Sequence, residues 1–146
     1  MSLKIYFCGS IRAGRQDAQI YRTLIDMLRV YGTVLTEHIG FPNPGTFRTC
    51  KPEELDKVIF DTDTAWLHES DVVVAEVTQP SLGVGFEVGA AWKLGKKILC
   101  LFRPSSGNNL SAMISGAQND STFQLVQYEQ TEELKPVFDS FLKSLI

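Results

Sequence analysis

Glu87 is the only ionisable side chain among residues 77–92. Its neighbours are small, apolar or neutral, and a carboxylate in such surroundings is costly to desolvate unless it is paired or used in chemistry. The run Asp71–Val77, which precedes it, has the composition of a buried strand. A strand, a glycine-containing loop and a helix start form the place where open α/β sheets bind ligands. Glu87 is therefore the first candidate for a catalytic carboxylate.

Asp63 is the second candidate. It lies within a predicted helix, with Ile59 and Phe60 one turn before it and Trp66 and Leu67 one turn after it. This spacing places the carboxylate in the middle of an apolar helix face. A buried structural carboxylate that pairs with an arginine explains Asp63 equally well when that residue is considered alone.

Two half-buried carboxylates at one crevice are typical of glycoside cleavage, in which one acts as nucleophile and the other as general acid. In retaining enzymes the two groups are about 5–5.5 Å apart. The helix dipole would keep Glu87 ionised near a helix N-terminus. Apolar surroundings would raise the pKa of Asp63 and suit it to proton donation. The residues alone do not fix this assignment, and the reverse one stays open.

The segment from Gly9 to Gly14, with the sequence Gly-Ser-Ile-Arg-Ala-Gly, is a candidate phosphate site. It matches neither the dinucleotide-binding fingerprint nor the Walker loop. Backbone N–H groups, the Ser10 hydroxyl and the Arg12 guanidinium could still hold one phosphate, and a plain strand-to-helix turn is the alternative. Arg103 follows the fourth predicted strand and is expected at the same crevice. His38 has no second histidine or cysteine at ligand spacing, so no metal is predicted.

The order of the predicted elements defines the fold class. Strands and helices alternate, which predicts an α/β fold with a doubly wound, five-stranded parallel sheet of order 2-1-3-4-5 and helices on both faces. The predicted strands are Leu3–Cys8, Thr33–Thr36, Asp71–Val77, Lys97–Phe102 and Thr122–Tyr128. The predicted helices are Ala18–Tyr31, Pro52–Ser70, Val84–Leu94, Leu110–Ser115 and Thr131–Leu145. The mostly apolar third helix is expected to be buried.

Bulk properties restrict the function further. The 146 residues, 44% of them hydrophobic, fit a single domain over residues 1–146. The net charge of −3 gives no sign of a nucleic-acid polymer as partner. Three cysteines without metal spacing favour a reducing, intracellular setting. No apolar run reaches membrane-spanning length. The expected location is the cytoplasm, with the nucleus as a second compartment.

Several blocks of the chain together resemble the 2′-deoxynucleoside 5′-phosphate N-hydrolase family, within the wider nucleoside 2-deoxyribosyltransferase-like group. The resemblance covers nearly the whole chain, and the block around the third strand is the most specific. The segment Gly40–Glu54 carries no pattern of the family, so the base preference is not predicted. The blocks that carry the resemblance are residues 5–12, 34–38, 71–85, 98–104 and 110–114.

The resemblance implies cleavage of the N-glycosidic bond of 2′-deoxynucleoside 5′-monophosphates to free base and 2-deoxyribose 5-phosphate. It implies that Glu87 is the nucleophile, that Asp63 protonates the base and that Tyr6 hydrogen-bonds the nucleophile. It also implies a homodimer in which Ser111 reaches the phosphate of the neighbouring subunit, and no cofactor. The implied substrate-binding residues are Gly9, Ser10, Ile11, Arg12, His38, Ser81, Gly83, Glu87, Ser111 and Met113.

Three other functions compete with this interpretation. A nucleoside deoxyribosyltransferase would use the same covalent intermediate and pass the sugar to another base. A phosphoribohydrolase would act on ribonucleotides. A nucleotide-sensing module would bind without turnover, but the loss of one carboxylate that would mark it is not seen, since Glu87 and Asp63 are both present.

Overall fold

The computed structural model describes residues 2–10, 17–35 and 51–146. Within them, five strands form one parallel sheet of order β2-β1-β3-β4-β5, which confirms the predicted topology. The strands are β1 (Leu3–Cys8), β2 (Gly32–Leu35), β3 (Val72–Glu76), β4 (Lys97–Phe102) and β5 (Phe123–Gln127).

Helices occupy the connections between the strands. The α-helices are α1 (Ala18–Leu28), α2 (Leu55–Glu69), α3 (Leu82–Lys93), α4 (Ala112–Gly116) and α5 (Lys135–Leu142). Short 3₁₀ turns lie at Pro52–Glu54, Pro104–Ser106, Thr131–Leu134 and Lys143–Leu145. The predicted elements are thus all present, and their ends differ by a few residues.

The alternation of side chains along β1 divides the core into two layers. Ile5 and Phe7 point into the layer that contains α1 and α5. Tyr6 and Cys8 point into the opposite layer, which contains buried residues of α2 and α3. Because successive strand residues face opposite sides of a sheet, the tyrosine hydroxyl can only meet groups from the second layer. Candidate chemistry at Tyr6 therefore lies on the α2 and α3 side.

Gly32 has a different role from the one that the sequence predicts. The predicted helix Ala18–Tyr31 places Gly32 directly after its end, but α1 ends at Leu28 and Gly32 pairs with Leu3 as the first residue of β2. A Cβ atom at Gly32 would lie 2.1 Å from the Leu3 carbonyl oxygen, so the glycine permits close approach of two strands. Gly95 does end α3 as predicted, with a φ of 75° that favours glycine.

Helix α3 is less buried than its composition predicts. Only Val84, Val88 and Ala91 are buried, at a spacing that places one stripe against the sheet. Leu82 is 97% exposed and Trp92 is 60% exposed. The prediction of a buried helix is wrong, because only the side chains on the face toward the sheet are buried. The opposite apolar face is left open in a single chain.

Candidate active site

A hydrogen bond between Tyr6 and Glu87 forms the centre of the site. Tyr6 lies on β1 and Glu87 on α3, and the phenolic O–H donates to Glu87 Oε2 at 2.7 Å. Burial, with the nearby charge of Glu87, raises the pKa of Tyr6 well above its ordinary value. The phenol therefore keeps its proton across the working pH range and remains a donor to the carboxylate. This orients the carboxylate of Glu87 and stabilises its ionised form.

Asp63 lies close enough to this pair to affect both of its members. Its charge raises the pKa values of Glu87 and of Tyr6. Burial raises the pKa of Asp63 itself to about 6. The rings of Phe60 on α2 and Phe86 on α3 meet edge to face, with centroids 6.0 Å apart. Because Phe60 is one turn before Asp63 and Phe86 adjoins Glu87, this contact holds together the two helices that carry the carboxylates.

The protonation of Glu87 differs from the sequence-based expectation. Burial raises the pKa of Glu87 to about 7; the Tyr6 hydrogen bond opposes this rise and Asp63 adds to it. Helix α3 begins at Leu82, so Glu87 lies beyond its first turn, where the helix dipole acts most strongly. Desolvation therefore outweighs the dipole at this position.

The two carboxylates titrate as a coupled pair. Both pKa values lie above the ordinary range for carboxyl groups, and the charge of Asp63 disfavours ionisation of Glu87. Near pH 6.5 the pair is therefore populated by forms in which one group holds a proton and the other does not. Such a pair can supply a nucleophile and a proton donor in the same step.

Ser10 and Gly9 follow β1 and lie under the ring of Tyr21. The backbone N–H of Ser10 donates to the Tyr21 hydroxyl at 3.1 Å. The Ser10 N–H is thus engaged within the protein, and the Ser10 hydroxyl stays the predicted phosphate ligand of this residue. A Cβ atom at Gly9 would lie 2.9 Å from Tyr21 Cζ, so the backbone passes the ring closely. The predicted site residues Ile11, Arg12 and His38 lie outside the described residues.

Ser81 and Gly83 are located at the start of α3. The Ser81 hydroxyl oxygen accepts a hydrogen bond from the Val84 N–H at 3.2 Å and so caps the helix. Among the described residues, the only atom near a Cβ built at Gly83 is Ser81 Oγ, at 3.8 Å. Packing within this part of the chain therefore does not require glycine there. Ser81 precedes Glu87 on the same helix start, so both belong to one side of the crevice.

Ser111 caps the N-terminus of α4, and Met113 lies within that helix. Ser111 accepts a hydrogen bond from the Met113 N–H at 3.2 Å, and Met113 is 83% exposed. Both side chains are thus available at the surface of a single chain. Their predicted roles at a neighbouring site stay predictions.

A buried polar cluster on β3, β4 and α1 was missed by sequence reasoning. Glu76, fully buried at the end of β3, accepts hydrogen bonds from the Tyr128 hydroxyl and from the Thr78 N–H. Arg103 Nη2 contacts Asp17 Oδ1 at 2.8 Å, and Arg103 Nε lies 3.8 Å from Glu76 Oε2. Arg103, predicted to face the ligand, is instead held by two buried acids. The sequence feature that could have indicated this cluster is Glu76, the one charged residue in the otherwise apolar strand β3.

No group of three or more potential metal ligands occurs in the described part of the chain. None of its helices has the length and apolar character needed to cross a membrane.

Comparison with known proteins gives relatives that are about 50% identical to this chain. A 5-hydroxymethyl-dUMP N-hydrolase from Esox lucius is 50% identical over 143 residues, which cover 98% of each chain. A 5-hydroxymethyl-dUMP N-hydrolase from Homo sapiens is 53% identical over 131 residues, which cover 88% of this chain and 73% of that protein. The alignment with the Esox lucius protein spans nearly the whole chain and so includes the elements that carry Tyr6, Asp63 and Glu87.

A solved structure and a family comparison agree with these relatives. The CMP N-glycosidase of Clostridium botulinum shares the fold with a TM-score of 0.63 and 22% identity, over 95% of this chain and 99% of that chain. The family described as nucleoside 2-deoxyribosyltransferase matches residues 5–128, a range that contains most of β1, the other four strands and both carboxylates. The chain belongs to the nucleoside 2-deoxyribosyltransferase family.

Proposed function

We propose that this protein is a glycosidase that hydrolyses the N-glycosidic bond of 2′-deoxynucleoside 5′-monophosphates. The observation that carries the proposal is the Tyr6 hydrogen bond to Glu87 at 2.7 Å, beside a second carboxylate, Asp63, with a raised pKa. The names of the relatives from Esox lucius and Homo sapiens support 5-hydroxymethyl-dUMP as the first substrate to test.

The proposed reaction is a double displacement. A carboxylate oxygen of Glu87 bonds to the anomeric carbon while the bond from that carbon to the base nitrogen breaks, and Asp63 gives its proton to the departing base. Water then attacks the same carbon, the Glu87 ester opens and the proton of the water returns to Asp63. Two inversions give net retention. Tyr6 holds the attacking carboxylate in place through its hydrogen bond to Glu87.

The direct test is a panel of substrates. The protein is incubated with 5-hydroxymethyl-dUMP, with other deoxynucleoside monophosphates and with ribonucleotides, and released base is quantified. Deoxynucleotides are expected to be cleaved and ribonucleotides to turn over poorly, because a 2′-hydroxyl withdraws electrons from the oxocarbenium-like transition state. Equal turnover of ribonucleotides, or no release of base from any deoxynucleotide, would contradict the proposal.

The 5′-phosphate is expected to be required. Ser10 and Ser81 at the carboxyl ends of β1 and β3, with Arg12, are its proposed ligands. Because binding energy from a remote group can be used in the transition state, kcat/KM for a monophosphate should exceed that for its nucleoside by at least about a hundredfold, or about 2.7 kcal/mol. Arg12→Ala should mainly raise KM, since it removes a charge-assisted contact. Comparable kcat/KM values for nucleoside and monophosphate would rule out the phosphate site.

A homodimer is also proposed, and the open face of α3 supports it. Leu82, Phe86 and Trp92 form an exposed apolar strip on α3, with Phe60 of α2 beside it. Exposed patches of this kind commonly mark protein interfaces. The dimer would bring Ser111 of the second subunit to the phosphate.

Trp92→Glu is expected to give monomers by analytical ultracentrifugation, because it places a charge in the strip. The KM for monophosphates should rise in the same variant, since the second subunit no longer supplies Ser111. Val30→Glu is the matched control, because Val30 is 83% exposed and lies outside the strip. A wild-type protein that sediments as a monomer at micromolar concentration would refute the dimer.

Base exchange is the second candidate function, since a deoxyribosyltransferase uses the same intermediate. Adding a second free base to the assay separates the two: a new nucleotide indicates transfer, and 2-deoxyribose 5-phosphate indicates hydrolysis.

The proposed location is the cytoplasm, with the nucleus as a second compartment. It is supported by the buried free thiols of Cys8 and Cys100.

A further inference from the structure

The turn that joins β3 to α3 is fixed at one fully buried residue, Thr78. The Thr78 N–H donates to Glu76 Oε1 at 2.7 Å. Its hydroxyl oxygen accepts a hydrogen bond from the Arg103 N–H at 3.0 Å, and its carbonyl oxygen accepts one from Asn108 Nδ2 at 3.1 Å. Both backbone polar groups of Thr78 are thus satisfied, as burial requires.

Arg103 and Asn108 belong to one segment after β4, which contacts Thr78 at both of its ends. A short 3₁₀ turn lies between them, and Gly107 ends that turn with a φ of 81°, a conformation that favours glycine. The Asn108 N–H donates to Ser106 Oγ at 3.1 Å, which fixes the backbone that carries the side chain. The Asn108 amide is therefore held in place as a donor to Thr78.

The connection from Thr78 to α3 is short and stiff. Only Gln79 and Pro80 separate Thr78 from Ser81, whose hydroxyl and carbonyl oxygens accept the first hydrogen bonds of the helix. Proline fixes its own φ and restricts the residue before it, so this link has little freedom to absorb a displacement. The position of Thr78 therefore sets where α3 begins, and with it the position of Glu87 in the second turn.

The hydrogen bond from Tyr6 to Glu87 depends directly on the position of α3, because it joins that helix to β1. A hydrogen bond weakens as its donor and acceptor move apart or out of line, so a small shift of the helix start affects this contact. Buried side chains along α3 hold the rest of the helix against the sheet, so loss of one amide should move its start without unfolding the protein. These side chains are Val84, Val88 and Ala91.

We propose that Asn108 is a positioning residue for Glu87, which acts by holding the Thr78 carbonyl and so the start of α3. Its effect on catalysis rests on the proposed function, in which Glu87 is the nucleophile. Without the amide, the carbonyl of a buried residue loses its donor, and the turn shifts to find another. Glu87 then moves relative to Tyr6, while every side chain that takes part in the reaction is unchanged.

The kinetic test compares Asn108→Ala with wild type, alone and in a Tyr6→Phe background. Asn108→Ala should reduce kcat for a deoxynucleoside monophosphate about tenfold. In Tyr6→Phe the same substitution should reduce kcat by about twofold or less, because the hydrogen bond through which it acts is already absent. Asn109→Ala is the matched control, since Asn109 is the next residue and is exposed. It should leave kcat unchanged in both backgrounds.

Titration of Glu87 gives an independent measurement that needs no turnover. Carbon-13 NMR of labelled glutamate follows its carboxyl group, identified by the signal that Glu87→Gln removes. Among the described residues, the titratable groups that affect it or are affected by it are Tyr6 and Cys8 on β1 and Asp63 on α2, and Asn108→Ala changes none of them. The Tyr6 hydrogen bond lowers the pKa of Glu87. Weakening it should therefore raise the titration midpoint, by about half a pH unit.

Two results would overturn the positioning role. One is an unchanged or lowered midpoint in Asn108→Ala, and the other is an equal loss of kcat with and without the Tyr6 hydroxyl. If Asn108→Ala does not fold, Asn108→Asp decides the question, because it keeps the shape of the side chain and replaces the donor with an oxygen. A raised midpoint in a protein whose wild type releases no base supports the positioning of Glu87 and refutes the proposed function alone.

Discussion

Glu87→Gln is expected to reduce kcat for deoxynucleoside monophosphates by about a thousandfold or more, because it removes the nucleophile of a covalent route. The substitution keeps the shape of the side chain and a carbonyl oxygen that can accept the Tyr6 hydrogen bond. The variant should remain folded and should melt no lower than wild type at pH 8. Burial raises the folded-state pKa of Glu87 to about 7. Ionising it therefore costs stability as the pH rises from the unfolded-state pKa through 7, and glutamine removes this cost.

Glu69→Gln is a suitable control for this substitution, because Glu69 is exposed and pairs with Lys4. It should leave kcat unchanged. Retention of more than about a tenth of the activity in Glu87→Gln, a barrier change of no more than 1.4 kcal/mol, would exclude the nucleophile role. Methanolysis provides a second check: a β-configured methyl glycoside agrees with two inversions at the anomeric carbon, and an α-configured product does not.

The fold could be predicted from sequence because its signals are local. Apolar runs such as Ile5–Cys8 and Val72–Ala75 mark buried parallel strands. Because crossover connections between parallel strands are right-handed, few strand orders are possible. Glu87 and Asp63 could be singled out by local evidence too, since Glu87 is a lone carboxylate in an apolar stretch and Asp63 lies on an apolar helix face. The hydrogen bond from Tyr6 to Glu87 is different: the residues alone left Tyr6 as a core aromatic, and the pairing came from family resemblance.

What could not be predicted depends on distances between elements. The pKa of Glu87 depends on burial that only the packed structure defines, and helix dipole arguments alone gave the wrong direction. The exposure of the outer side chains of α3 depends on how many residues of the helix pack against the sheet, and the sequence does not give that number. The pairing of Arg103 with Asp17 joins residues 86 positions apart, and no local pattern at either residue indicates the other.

Asp63→Asn is expected to separate substrates by the basicity of their leaving base. A poor leaving group needs a proton in the transition state, so its kcat/KM should fall by about a hundredfold or more, within the usual range for general acid catalysis. A substrate with an activated leaving group needs less protonation and should be partly spared. Asp61→Asn is the matched control on the same helix, because Asp61 is exposed and pairs with Lys57.

The pH profile of the same variant tests which carboxylate donates the proton. Wild type should show a bell-shaped kcat/KM with limbs near the pKa values of about 6 for Asp63 and about 7 for Glu87, since one group must be ionised and the other protonated. With an activated substrate, Asp63→Asn should no longer lose kcat/KM at high pH, because no general acid has to stay protonated. The fall of kcat/KM at low pH should remain, with its midpoint below pH 7, because the charge of Asp63 no longer raises the pKa of Glu87.

The reverse assignment gives the opposite result in each experiment. If Asp63 were the nucleophile, Asp63→Asn would reduce activity equally for all leaving groups, and Glu87→Gln would spare the activated ones. The pKa order alone favours that reversal, because the group with the higher pKa holds the proton more strongly. The Tyr6 hydroxyl favours the assignment proposed, since its hydrogen bond orients the Glu87 carboxylate for attack. Equal losses in Asp63→Asn across leaving groups, or a basic limb that persists, would show that the hydrogen bond does not decide the roles.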